Sequence, residues 1–161
     1  MRHVKVIHKM IKNIFTSEVA NEVIERIHQL KPTDKPLWGK MSADQMLAHC
    51  NVTYGFTFEP GKYKKPNALM KFLLKTFVKN FVVSDKPYPK NTKTTKDFIM
   101  TGQKEFDKEK EKLIANIQKT QELGEAYFEG RDNFSFGKMS SKEWNGLFYK
   151  HLDHHLTQFG K

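Results

Sequence analysis

Residues 137–160 read GKMSSKEWNGLFYKHLDHHLTQFG, and residues 38–50 read WGKMSADQMLAHC. Both stretches open on the same entry: an aromatic residue, Phe136 or Trp38, then Gly-Lys-Met-Ser. Each then reads as a capping box, Ser42 with Gln45 and Ser140 with Glu143. In that motif the serine oxygen accepts from the N3 amide, and the N3 side chain returns to the cap amide. Each also carries a hydrophobic staple, Met41 with Met46 and Met139 with Trp144. Two matched starts fix two helix phases. Counted from Gly39, His49 stands ten residues on; counted from Gly137, His151 stands fourteen on and His155 eighteen. These offsets differ by four, so the histidines fall on nearly the same face of the two helices. If the two helical units pack face to face, His49 meets His151 and His155. The repeat itself reads either as good helix punctuation or as pseudo-symmetry of two hairpins.

The rest of the chain supplies partners for these two helices. A helix is expected over about residues 17–30, with Val19, Val23, Ile27 and Leu30 as its apolar stripe. Pro32 and Pro36 end it. The second helix is expected over 42–58, before Pro60-Gly61. A shorter helix over 67–83 lies within a long connection, and 84–95, with Pro87 and Pro89, reads as loop. A charged helix is expected over 101–123 on a thin stripe of Phe106, Leu113 and Ile117. Gly124, Gly130 and Gly137 mark the next connection, and the last helix runs over 141–159. Strand signals are confined to Phe81-Val82-Val83 and Val4-Lys5-Val6. The pattern predicts an all-α fold, a four-helix bundle with a long crossover between helices two and three. One domain is expected over 1–161, with 1–15 as a basic N-terminal extension and 60–99 as a basic crossover. In the extension Val4, Ile7, Ile11 and Ile14 fall at helical spacing. It reads either as a transit peptide, for which it is poor in Arg and Ser, or as an extension packed on the domain, which is the reading expected here.

Composition narrows the class. A chain of 161 residues with 38% hydrophobic and 29% charged residues can bury a core without disulfides. Its single cysteine, Cys50, excludes an intrachain disulfide and a cysteine zinc cluster. No apolar run approaches the ~18 residues of a membrane span. A reducing, cytoplasmic location fits. The net charge of +10 is concentrated: residues 61–96 hold ten lysines against one acid, Asp85. That describes one basic segment on a near-neutral domain.

The histidines carry the chemistry. His151 and His155, at i and i+4, sit one above the other on a helix and can share one ion. His49 as third ligand leaves a position open for water, the arrangement of a catalytic rather than a structural site. Imidazole suits zinc, nickel and iron alike. A bound divalent ion lowers the pKa of its water toward ~7, and a thiolate could take the same position. Against this, seven histidines give roughly 0.3 such pairs by chance. Histidines near a helix C-terminus also favour the dipole without metal. Gln45 and Thr53, one turn either side of His49, could line the same cavity. His154, turned round the helix from the middle of the pair, reads as a spare ligand or as a partner behind the ligating rings. Asp153 lies on the far side of the helix, Gln158 reads as structural, and Cys50 reads as a small core residue. His3, His8 and His28 have no partner pattern.

With these residues in view, WGKMSADQMLAHC and the terminal GKMSSKEWNGLFYKHLDHHLTQFG resemble the DinB/YfiT-like superfamily, in particular a domain-of-unknown-function branch ending in HLxHHxxQFG. The resemblance implies a four-helix bundle of up-down-down-up topology. It implies one histidine from helix two and an HxxxH pair from helix four around a divalent ion, here His49, His151 and His155. It further implies a metal-dependent hydrolase, a transferase using low-molecular-weight thiols, or no activity at all.

The basic segment adds a separate theme. Lys71, Lys75 and Lys79 recur every fourth residue among Leu69, Met70, Phe72, Leu73, Leu74, Phe77, Val78 and Phe81. Such a stretch can pack on the bundle with its lysines in water, cover the histidines as a lid over an anionic substrate, or lie on an anionic membrane. Three functions therefore stand. The first is a metal-dependent hydrolase or thiol transferase acting on a small molecule, anionic or a low-molecular-weight thiol. The second is a non-catalytic metal or small-ligand binder, and the third an anionic-surface binder through 62–96. No carboxylate pairs with the histidines in sequence to act as a base. A homodimer is compatible with all three. Nucleic acid is not expected as partner, because no recognition module is present.

Overall fold

The computed structural model describes residues 11–161. Val4 and Ile7 of the predicted apolar stripe, the Val4-Lys5-Val6 strand signal, and His3 and His8 lie outside the described residues. Five helices make up most of the fold: α1 (Ser17–His28), α2 (Ala43–Phe58), α3 (residues 68–83), α4 (Phe106–Phe128) and α5 (Ser141–Gln158). Within α3 a π-helical stretch, Leu74–Val78, joins Ala68–Leu73 to Lys79–Val83. A hairpin of β1 (Arg131–Asn133) and β2 (Gly137–Met139) precedes α5.

Both predicted capping boxes form, Ser42 with Gln45 and Ser140 with Glu143. Their glycines share a left-handed backbone, Gly39 at φ 82° and Gly137 at φ 72°. The repeated entry is therefore repeated in structure as well. Thr16 caps α1 and Asn67 caps α3, each accepting from the amide three residues on.

Helix α2 packs against α4 and α5, and α1 packs against both α4 and α5. The centre is aromatic. Tyr54 stacks on Phe148 at 5.0 Å, Phe148 on Trp144 at 5.5 Å, and Phe128 reaches Trp144 at 5.4 Å. Ile14 and Phe15 are buried in the same core. Asn145 fixes that end of the N-terminal segment: its Oδ1 accepts from Ile14 N at 2.8 Å, and its Nδ2 donates to Lys12 O at 3.1 Å.

Three sequence expectations need correction. The fold is not purely all-α, because residues 131–139 form an antiparallel ribbon pairing Arg131 with Met139 and Asn133 with Gly137. Asn133 Oδ1 accepts from Ser135 N and Phe136 N, and Gly137 supplies the positive φ. Three-residue polar strands fall below any alternation signal. Helix α4 begins at Phe106 rather than near Thr101, because the preceding segment is tethered to α2. Asp44 Oδ2 accepts from Lys104 N at 2.6 Å, and Gln45 Nε2 donates to Gly102 O at 2.9 Å. It also continues past Gly124, where φ 72° and ψ 171° kink it, and brings Phe128 into the core.

The crossover is fastened to α5 at the C-terminus of α3. Lys150 Nζ donates to Phe81 O and Ser84 O, each at 2.8 Å, and lies 4.2 Å from the centre of the Tyr88 ring. The Tyr88 hydroxyl donates to Val82 O. Gly146 allows this close approach: a Cβ there would lie 2.5 Å from Val83 O. Alanine favours a helix over glycine by about 1 kcal/mol, but the obstructing atom belongs to a fixed backbone. We expect Gly146→Ala to lower stability by about 1–3 kcal/mol, read as a fall in the urea midpoint. Gly61→Ala, where a Cβ meets nothing within 4 Å, is the control and leaves the midpoint nearly unchanged.

Candidate metal centre

Helix α2 carries His49, and α5 carries His151 and His155 one turn apart. Packing of α2 on α5 makes a triangle of imidazoles. Ring centroids are 5.0 Å apart for His49 and His151, 4.5 Å for His49 and His155, and 4.8 Å for His151 and His155. One potential ligand nitrogen from each ring lies within 4.8 Å of the others. His49 Nε2 and His151 Nε2 are 3.0 Å apart. His49 and His155 are buried, and His151 keeps part of its surface exposed.

The hydrogen bonds behind the rings decide what the rings present. His49 Nδ1 is 2.8 Å from Phe98 O. A carbonyl only accepts, so Nδ1 carries the proton and Nε2 presents a lone pair. Gln158 Nε2 donates to Trp38 O at 2.7 Å, which turns Gln158 Oε1 toward His155 Nδ1 at 2.8 Å. His155 Nδ1 therefore donates as well, and its Nε2 is bare. His151 Nδ1 is 3.1 Å from Thr53 Oγ1. A hydroxyl can donate or accept. When Thr53 donates, His151 is protonated on Nε2 and hydrogen-bonds to His49. When Thr53 accepts, all three Nε2 atoms offer lone pairs.

This donor set fits a divalent ion. Tetrahedral nitrogens at about 2.0–2.1 Å from zinc lie about 3.3 Å apart, a spacing within the range the rings span here. Orienting an imidazole through its other nitrogen to a carbonyl is the usual outer-shell arrangement of a metal-bound histidine. Desolvation holds all three imidazoles below the usual histidine pKa. For His155 burial, with His49 beside it, pushes the value down to about 3. Burial, then His155 and His49, lowers His151 strongly. Burial also lowers His49, although the Phe98 carbonyl opposes it. At neutral pH the triangle is uncharged, the protonation state that ligates metal. Among the described residues no carboxylate joins the group.

The other sequence candidates are placed as follows. Thr53 lines the site, but Gln45 does not: its ends go to Ser42 N and Gly102 O. His154 sits outside the triangle, edge-on to His155 at 5.0 Å and against Trp38 and Tyr88. Asp153 pairs with Arg26 at 2.9 Å. Cys50 is buried beside Met46, and burial pushes its thiol pKa up, which makes it unreactive. His28 is exposed. The crossover does reach the site, through Phe98 rather than through lysine. The Phe98 ring lies 5.2 Å from His49 and 5.9 Å from His151. Lys79 instead pairs with Glu143 at 2.7 Å.

Sequence reasoning missed Phe98, Trp38 and the orienting role of Gln158. Gln158 could have been found as an amide at i+3 from His155. A backbone carbonyl such as that of Phe98 has no residue-type signature. Gly39 belongs to the same bracket, since a Cβ there would lie 2.6 Å from Gln158 Nε2.

A family model described as a protein of unknown function (DUF1569) matches residues 12–161, and the chain belongs to that family. No curated protein and no solved structure matches the chain.

Proposed function

We propose that this member of the DUF1569 family is a divalent-metal-binding protein of the DinB-like type, with His49, His151 and His155 as the three protein ligands. The observation that carries the reading is the commitment of His49 Nδ1 and His155 Nδ1 to fixed acceptors, which leaves their Nε2 lone pairs for an ion. The DinB-like architecture belongs to the same proposal: one domain in which α1, α2, α4 and α5 form an up-down-down-up bundle, with α3 in the crossover. Packing of α1 and of α2 on both α4 and α5, and of α4 on α5, supports it.

When bound, the ion supplies Lewis acidity and lowers the pKa of a fourth ligand, water or thiol. The chain's own contribution is placement. Phe98 and Gln158 hold two rings, Thr53 accommodates either tautomer of the third, and the Phe98 ring restricts solvent. We assign the activity to metal-dependent hydrolysis or thiol transfer on a small molecule. A second reading, a non-catalytic metal or small-ligand binder, is favoured by one observation: among the described residues no carboxylate stands in the group to act as a base.

Cobalt(II) titration of the untagged, chelator-treated protein tests the ligand set. The expected result is an intense visible spectrum of low-coordinate cobalt that saturates at about one equivalent and is lost in His49→Ala. A spectrum unchanged in His49→Ala would remove that histidine from the site.

A further inference from the structure

We propose that α3 seats the protein on the surface of an anionic phospholipid bilayer. The helix packs on the body through one edge only, with Leu74, Val78, Val82 and Val83 against the core. None of its residues is buried. The opposite side presents large apolar groups to solvent: Leu69 is 68% exposed, Phe72 62% and Phe77 72%, with Met70 and Leu73 beside them. Leu69, Leu73 and Phe77 succeed one another every fourth residue and so form a stripe along the helix. An apolar patch of this kind on a water-facing helix marks an interaction surface.

Charge selects the partner. Lys64 and Lys65 precede the helix, Lys75 lies on it, and Lys86 and Lys93 follow it, all exposed. Asp85 is the only acid between residues 61 and 96. An apolar helical face flanked by lysines is what an interfacial helix presents to anionic headgroups: aromatic and leucine side chains enter the headgroup boundary while the ammonium groups stay at the phosphates. Among the described residues no helix is long and apolar enough to cross a membrane, so the contact is a seating and not a span. A second copy fits this surface poorly. A two-fold dimer would set the same patch against itself and bring the same lysines together. The inference stands independently of the metal reading.

The test uses the untagged full chain and sucrose-loaded vesicles of phosphatidylcholine, with and without about one-third phosphatidylglycerol. The expected result is sedimentation with the anionic vesicles only, weakening as salt is raised. Phe72→Ser/Phe77→Ser should reduce partitioning at least tenfold with helicity unchanged, and Lys64→Glu/Lys65→Glu/Lys75→Glu should do the same. Three results would overturn the proposal. One is absence of binding at low salt. Another is binding that depends on the lysines but not on Phe72 and Phe77, which would leave only diffuse electrostatic attraction. The third is a dimer in light scattering that Phe72→Ser/Phe77→Ser dissolves, which would make a second copy the occupant.

Discussion

Metal-free protein should lose about 2 kcal/mol of stability between neutral pH and pH 5 from His155, with His151 adding a loss of the same sign. Both are neutral in the fold because burial disfavours their cations, and each also lies beside other imidazoles. In the unfolded chain a histidine titrates near 6.5. Below that pH the unfolded chain binds protons that the folded chain does not, so stability falls as pH falls. The fall continues until the folded groups titrate, near 3 for His155. At pH 5 His155 has contributed about 2 kcal/mol of loss, a large part of the 5–15 kcal/mol typical of a domain. The window isolates the histidines. Carboxylates held low in the fold, such as Asp34 by the Lys31 amide, lose their contribution only as pH falls below about 4. Urea unfolding with chelator present, at pH 7 and pH 5, measures the difference. A change under about 1 kcal/mol would mean that the imidazoles are not held neutral by burial.

Gln158→Leu should lower stability and metal affinity together. The substitution keeps the volume but leaves the His155 Nδ1 proton and the Trp38 carbonyl without partners. Each group left unpaired costs about 1–3 kcal/mol, so a loss of about 2–6 kcal/mol is expected for the two. Loss of an outer-shell partner also lowers metal affinity by about 10–100-fold. Gln158→Glu separates the two effects. It retains an acceptor for His155 and should restore affinity, but it cannot donate to Trp38 and should remain destabilised. Equal affinity in Gln158→Leu and the wild type would mean that His155 is oriented by packing alone.

The two GKMS entries made most of the site legible. Their capping boxes fix where α2 and α5 begin, and counting from Gly39 and Gly137 places His49 opposite His151 and His155. Helix lengths were legible where a stop is local, as at Pro60 after α2. They were not where tertiary contacts override local pattern. Asp44 and Gln45 hold residues 102–104 out of α4, and the core draws Phe128 in beyond a glycine that reads as a terminator. The hairpin was hidden for a different reason. It rests on the Asn133 side chain and the Gly137 backbone rather than on apolar alternation. The support behind the rings was least legible, because two of its acceptors, Phe98 O and Trp38 O, are backbone atoms.

The central claim is that three histidines hold one divalent ion. Metal content by mass spectrometry tests it most directly, on untagged protein supplied with zinc, iron, manganese and nickel and then desalted, with His151→Ala and His155→Ala beside the wild type. The account predicts about one equivalent in the wild type and almost none in either variant, with helicity retained in all three. Absence of metal from the wild type, or equal content in the variants, would contradict it and leave the triangle as a hydrogen-bonded packing of neutral imidazoles.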